Sequence, residues 1–193
     1  MIELKNINGG YGKKQVLFDI KTIIHENEIT SIIGPNGCGK STLLEISSGL
    51  MKPYEGVVVA DGVNIHEMNA KDRAKKISVL SQQKNPGALT VRALVYHGRF
   101  PYLGYPRKYR DEDRKIVDEA MRTAGIYDLA EESLSELSGG QQQKAYIAML
   151  LAQNTDIVFL DEPVTFLDIN YQLELMEIIK ELKNNGKTVI MVI

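Results

Sequence analysis

The chain contains no tryptophan, one cysteine and six prolines. With Cys38 as its single thiol it cannot close an internal disulfide, so packing must supply the stability. Long apolar runs are missing too. The longest, Ala145 to Ala152, falls well short of the roughly 18 residues that a membrane-spanning helix needs, so membrane association would have to come through a partner. No charge of one sign prevails: 23 Lys and Arg stand against 25 Asp and Glu, a formal net charge of -2. That balance excludes the basic character of a whole-chain nucleic-acid binder. The opening Met1-Ile2-Glu3-Leu4-Lys5 alternates and carries an acid, so it reads as a strand rather than a signal peptide. No repeat, low-complexity tract or long linker interrupts the chain.

What is present is ordinary for a folded domain. The 193 residues are 44% hydrophobic and 25% charged, enough for one domain with a real core. Residues 2 to 8 alternate as a half-buried strand, and Gly9-Gly10 is expected to turn the chain. Ile29 to Ile33 reads as a strand entering a glycine-rich loop, and Ser41 to Leu50 as the helix after it. Val57 to Val59 and Ile77 to Leu80 are further strand candidates. From about Asn85 to Glu136 the pattern turns helical. Ile116, Val117, Ala120, Met121 and Ala124 recur at helical spacing behind the acidic turn Asp111-Glu112-Asp113. The mixed-sign tract Arg107 to Lys115 reads as a solvated face. Gly140 to Ala152 is a second helix and Asn170 to Leu182 an amphipathic one. Ile157 to Leu160 and Val189 to Ile193 are apolar runs, as in parallel strands buried on both faces. Together these elements predict a mainly parallel α/β core with a helical insertion.

Gly34-Pro35-Asn36-Gly37-Cys38-Gly39-Lys40-Ser41, followed by Thr42, fits G-x-x-x-x-G-K-[ST] between a strand and a helix. Glycines let successive N–H groups point inward as an anion nest, and the helix start adds partial positive charge. Lys40 can pair with the β- and γ-phosphates of ATP, and the Ser41 hydroxyl can ligate Mg²⁺. The run Ile157 to Leu160 ends in Asp161-Glu162. Asp161 can hold Mg²⁺ directly or through water, and Glu162 can orient or deprotonate an attacking water.

Leu137-Ser138-Gly139-Gly140-Gln141 resembles the signature of ABC ATPases. Its serine and glycines ahead of a helix make a second anion-seeking helix start. The resemblance runs through the whole chain in order. It implies that Tyr11 stacks on adenine. It also implies that Gln82, or its neighbour Gln83, reaches Mg²⁺ and senses the transport partner, and that Pro163 to Asp168 crosses to a second subunit. The implied fold is a P-loop NTPase core with a mainly parallel sheet, an antiparallel β portion on the N-terminal side and a helical insertion bearing the signature. Residues 1–193 would form one domain, with 1–84 and 154–193 as core and 85–153 as helical subdomain.

The resemblance further implies a head-to-tail homodimer closed by ATP and docked on integral membrane permease subunits. Such a chain sits on the inner face of the cell membrane and touches neither nucleic acid nor the transported substrate. Val91-Arg92-Ala93-Leu94, Gly98-Arg99-Phe100-Pro101-Tyr102 and the stretch Glu162 to Ile169 look like importer ATPases for iron-siderophores, haem and vitamin B12. The family's switch histidine has no counterpart at His25, His66 or His97, and the family continues beyond Ile193. The resemblance thus implies a C-terminally shortened chain. Two other functions follow from the same residues: a nucleotide-gated dimer that does not hydrolyse, and a soluble ABC ATPase outside transport.

Overall fold

The computed structural model describes residues 1–81, 88–164 and 168–193. The chain opens with β1 (Ile2–Tyr11), β2 (Lys14–Ile24) and β3 (Ile29–Ile32), then α1 (Lys40–Ser47). Next come β4 (Glu55–Ala60), β5 (Val63–Asn64), α2 (Ala70–Lys76) and β6 (Ile77–Leu80). A helical stretch follows, with α3 (Val91–His97), α4 (Asp111–Thr123) and α5 (Gly139–Gln153). The chain then returns to strands with β7 (Ile157–Asp161), α6 (Ile169–Asn184) and β8 (Thr188–Val192).

The strands form two sheets. One is antiparallel in the order β2-β1-β4-β5, and the other is parallel in the order β3-β8-β7-β6. Every residue of β7 and β8 is buried, as their unbroken apolar runs require. Period-two alternation then divides them between two cores. Ile157, Phe159, Ile190 and Val192 join the antiparallel sheet and Leu44 and Ile46 of α1. Val158, Leu160, Val189 and Met191 join α3, α4, α5 and α6. The parallel sheet is thus the shared wall between the antiparallel layer and the helical layer.

The expected turn at Gly9-Gly10 does not form. Strand β1 runs through both glycines to Tyr11, and the reversal falls at Gly12-Lys13, with Gly12 at φ 59°. The two glycines serve close approach instead. A Cβ on Gly10 would stand 2.0 Å from the Lys14 carbonyl oxygen, and one on Gly9 would stand 2.4 Å from Ile46 Cδ1. The first helix also ends three residues early, at Ser47, before Gly49 at φ 81°.

The tract Arg107 to Lys115 is exposed except for the half-buried Tyr109 and the buried Asp113. Arg99 Nε donates to Asp113 Oδ1 at 2.9 Å, and its Nη1 donates to the Ala152 carbonyl at 2.8 Å. The guanidinium also lies 4.0 Å from the centre of the Tyr102 ring. Burial raises the Asp113 carboxyl, but the Arg110 amide and Arg99 outweigh it and leave the pKa below its usual value. The end of α5 is fastened to α2 and to the start of β6 as well. Gln153 Nε2 donates to the Ala74 and Ile77 carbonyls at 2.6 and 3.2 Å.

Candidate nucleotide site

The loop between β3 and α1 carries Gly37 at φ 78° and Gly39 at φ 102°, backbone angles that only glycine adopts cheaply. Gly39 caps α1 from the left-handed region, so the helix starts directly behind the loop. A Cβ on Gly34 would stand 2.9 Å from Cys38 Sγ. Lys40 is buried, and its ammonium donates to the carbonyls of Gly34 at 2.8 Å and Pro35 at 3.2 Å. Its charge is therefore held inside the loop, where a phosphate oxygen could take the place of the carbonyls.

Ser41 and Asp161 meet across the junction of α1 and β7. Ser41 Oγ donates to Asp161 Oδ1 at 3.1 Å, with Asp161 buried. Burial pushes the Asp161 carboxyl up. Ser41 and Lys40 pull it down, while Glu162 and Glu45 push it further up. A buried carboxylate beside a hydroxyl is an all-oxygen donor pair, which suits a hard divalent cation such as Mg²⁺. Glu162 follows at φ 46°, unusual for a side-chain-bearing residue. Its amide donates to the Val192 carbonyl at 3.2 Å. Thr42 is buried behind the loop. Tyr11 is 55% exposed, and its hydroxyl donates to Glu45 Oε2 at 2.8 Å.

The other predicted residues occupy helix starts. Ser138 caps α5 reciprocally: Gln141 N–H donates to Ser138 Oγ at 3.3 Å, and Ser138 N–H donates to Gln141 Oε1 at 3.0 Å. Gly139 faces open space, whereas a Cβ on Gly140 would stand 3.1 Å from the Tyr171 ring. Asp168 caps α6, accepting from Asn170 N–H at 3.0 Å and Tyr171 N–H at 3.1 Å. Gln82 and its neighbour Gln83 lie outside the described residues, as does 165–167. The structure therefore brings the phosphate loop, Ser41, Asp161 and Glu162 together. The cap bonds of Ser138, Gln141 and Asp168 lie within their own helix ends.

Sequence reasoning missed Glu45, Gln143 and Tyr171. Glu45 lies four residues after Ser41 on α1, and that spacing placed it on the same helix face. Gln143 and Lys144 stand three and four residues after Gly140, which aims them the same way from α5. Nothing local marked Tyr171.

A strand, an anion-nest loop with an invading lysine, a helix, and a serine–aspartate pair at the next strand's end define a P-loop nucleotide-binding domain. A family model described as ABC transporter matches residues 17–165. The chain is 44% identical over 186 residues to an iron(3+)-hydroxamate import ATP-binding protein of Bacillus subtilis (strain 168), covering 95% of this chain and 69% of the relative. It is 47% identical over 174 residues to a ferric enterobactin transport ATP-binding protein of Escherichia coli (strain K12), covering 90% of this chain and 64% of the relative. Among solved structures, a dimeric bacterial ABC transporter cassette, MJ0796, matches at TM-score 0.88 and 35% identity, covering 100% of this chain and 87% of that one. The same cassette bound to ADP and Pi in a post-hydrolysis state matches at TM-score 0.86 and 33% identity, with the same coverage. This chain belongs to the ABC transporter family as one of its ATP-binding domains, an ABC ATPase. No helix among the described residues is long and apolar enough to cross a membrane.

Proposed function

We propose that this chain is the ATP-hydrolysing subunit of an importer for ferric siderophores, working as a head-to-tail homodimer on integral membrane permease subunits. The observation that carries hydrolysis is the Ser41–Asp161 contact of 3.1 Å beside Lys40 and Glu162. The names of the relatives support the import reading. Peripheral attachment to the inner face of the membrane, through the permease, follows from the same reading.

The chemistry follows from the residues. The loop N–H groups and Lys40 would receive the β- and γ-phosphates. Ser41 and Asp161 would hold Mg²⁺, which supplies charge neutralisation on the phosphate oxygens. Glu162 accepts a proton from water as the water oxygen bonds to the γ-phosphorus. The bond from that phosphorus to the β,γ-bridging oxygen breaks, and the electron pair leaves with ADP. The partner's signature helix start would face the γ-phosphate, so ATP closes the dimer and hydrolysis releases it.

ATP binding and turnover, measured on the chain and on Glu162→Gln, test this reading. Turnover that vanishes in the variant while binding persists supports it. Binding without turnover in either protein selects a nucleotide-gated dimer instead. Absence of binding sinks the site. Co-purification with an integral membrane protein, and ATPase stimulation by it, separates the transport subunit from a soluble ATPase.

A further inference from the structure

The backbone after the β7 carboxylates is held from three sides. On one side, the Glu162 amide bonds to the Val192 carbonyl of β8 at 3.2 Å. On the second, the carbonyl of the following residue, Pro163, accepts from Gln143 Nε2 of α5 at 2.8 Å. On the third, the Val164 carbonyl lies 3.4 Å from Gln172 Nε2 of α6. Glu162 is the strained residue of the three, at φ 46°. A left-handed backbone in a side-chain-bearing residue persists only where its surroundings impose it.

Gln143 is buried, at 7% exposure, so its bond to Pro163 is shielded from water. It lies on the same side of α5 as two further contacts. Gly140 abuts the Tyr171 ring. Lys144 pairs with Glu174 at 2.6 Å and lies 4.7 Å from the centre of the Tyr171 ring. The first turns of the signature helix therefore dock on both chain segments that flank residues 165–167. A movement of that helix must pull on the Pro163 carbonyl, one peptide away from Glu162.

We infer that Gln143 is a positioning residue for hydrolysis: through the Pro163 carbonyl it links the signature helix to the backbone that aims the Glu162 carboxylate. The inference rests on the reading of Glu162 as the base. Gln143 itself touches neither water nor nucleotide in this scheme. Its loss should therefore slow the chemical step and leave nucleotide capture alone.

Gln143→Met keeps the length and approximate volume of the side chain and removes the donor. In the nucleotide-free chain, amide hydrogen exchange should speed up in peptides covering 161–164 and stay unchanged in peptides covering 34–41. In turnover assays kcat should fall about tenfold or more, since small misplacements of a reacting group cost that much. The KM for ATP should stay within about twofold. Unchanged exchange over 161–164 overturns the inference, as does an unchanged kcat or a loss that falls on KM. If the parent chain does not turn over, the exchange result decides alone. Loss of turnover in Glu162→Gln beside a fully active Gln143→Met sinks this inference only. Full turnover in Glu162→Gln sinks the reading of Glu162 and this inference with it.

Discussion

The Ser41 hydroxyl donates to the Asp161 carboxylate at 3.1 Å, joining the first turn of α1 to the end of β7 across 120 positions of sequence. A divalent cation would replace that hydrogen bond with two metal–oxygen contacts, direct or through water. Ser41→Ala and Asp161→Asn should both reduce the advantage that Mg²⁺ gives to ATP binding, by roughly 10–100-fold, the scale on which even outer partners of metal sites act. The check is ATP affinity titrated with Mg²⁺ and with chelator. A Mg²⁺ effect of wild-type size in both variants would remove these residues from the metal site.

The buried pair Arg99–Asp113 gives a stability prediction. Arg99→Ala leaves the buried Asp113 carboxylate without its ion-pair partner and the Ala152 carbonyl without its side-chain donor. The expected cost is about 3–5 kcal/mol, the usual penalty for breaking a buried ion pair from one side. Arg99→Met with Asp113→Leu removes both charges and should recover most of that loss. Some deficit should remain, because Asp113 also accepts from the Arg110 amide at 3.0 Å at the start of α4. Urea unfolding of the two variants decides the matter.

Much of the site was legible in the sequence because its parts are contiguous. The phosphate loop needs only its own glycines and the helix behind it, and the signature needs only its own cap. The double burial of β7 and β8 was written in unbroken apolar runs. What escaped notice depends on partners distant along the chain. Asp113 reads as one charge in a solvated tract until Arg99, fourteen residues back, folds onto it. Gly9 and Gly10 read as a turn because glycine serves both reversal and close approach. Only the positions of Lys14 and Ile46 show which use applies. The Gln143–Pro163 bond spans twenty residues between a helix and a loop, and no periodicity encodes it.

Asp61 supplies a pH dependence. Its carboxylate pairs with Lys76 Nζ at 2.5 Å and with the Met1 amino group at 2.9 Å. The Lys76 hydrogen bond, followed by the Met1 amino group, lowers its pKa from 3.8 to about 2. A carboxylate with a depressed folded-state pKa contributes stability that is complete above the unfolded value. That contribution is lost as pH falls from about 4 toward about 2. The side chain is 46% exposed, so solvent screening limits the contribution to less than about 1 kcal/mol. Asp61→Asn should therefore be slightly less stable than the parent at pH 7 and equal to it near pH 2. Thermal melts across that range test the convergence, and a gap that widens on acidification would contradict it.

Tyr11 separates the roles of ring and hydroxyl. Its ring is half exposed beside the phosphate loop helix, and its hydroxyl is held by Glu45 Oε2 at 2.8 Å. If adenine stacks on the ring, Tyr11→Phe keeps the stacking face and should bind ATP nearly as the parent does. Tyr11→Ala removes the face and should weaken binding by about 1–3 kcal/mol, the range measured for base–aromatic stacking. Glu45→Gln still accepts from the hydroxyl, so it should leave the affinity close to that of the parent. The triphosphate alone provides the control: tripolyphosphate has no base, and its affinity should be the same in all four proteins. ATP and tripolyphosphate weakened equally by Tyr11→Ala would mean that Tyr11 shapes the phosphate loop. A loss confined to ATP would place the adenine on the ring.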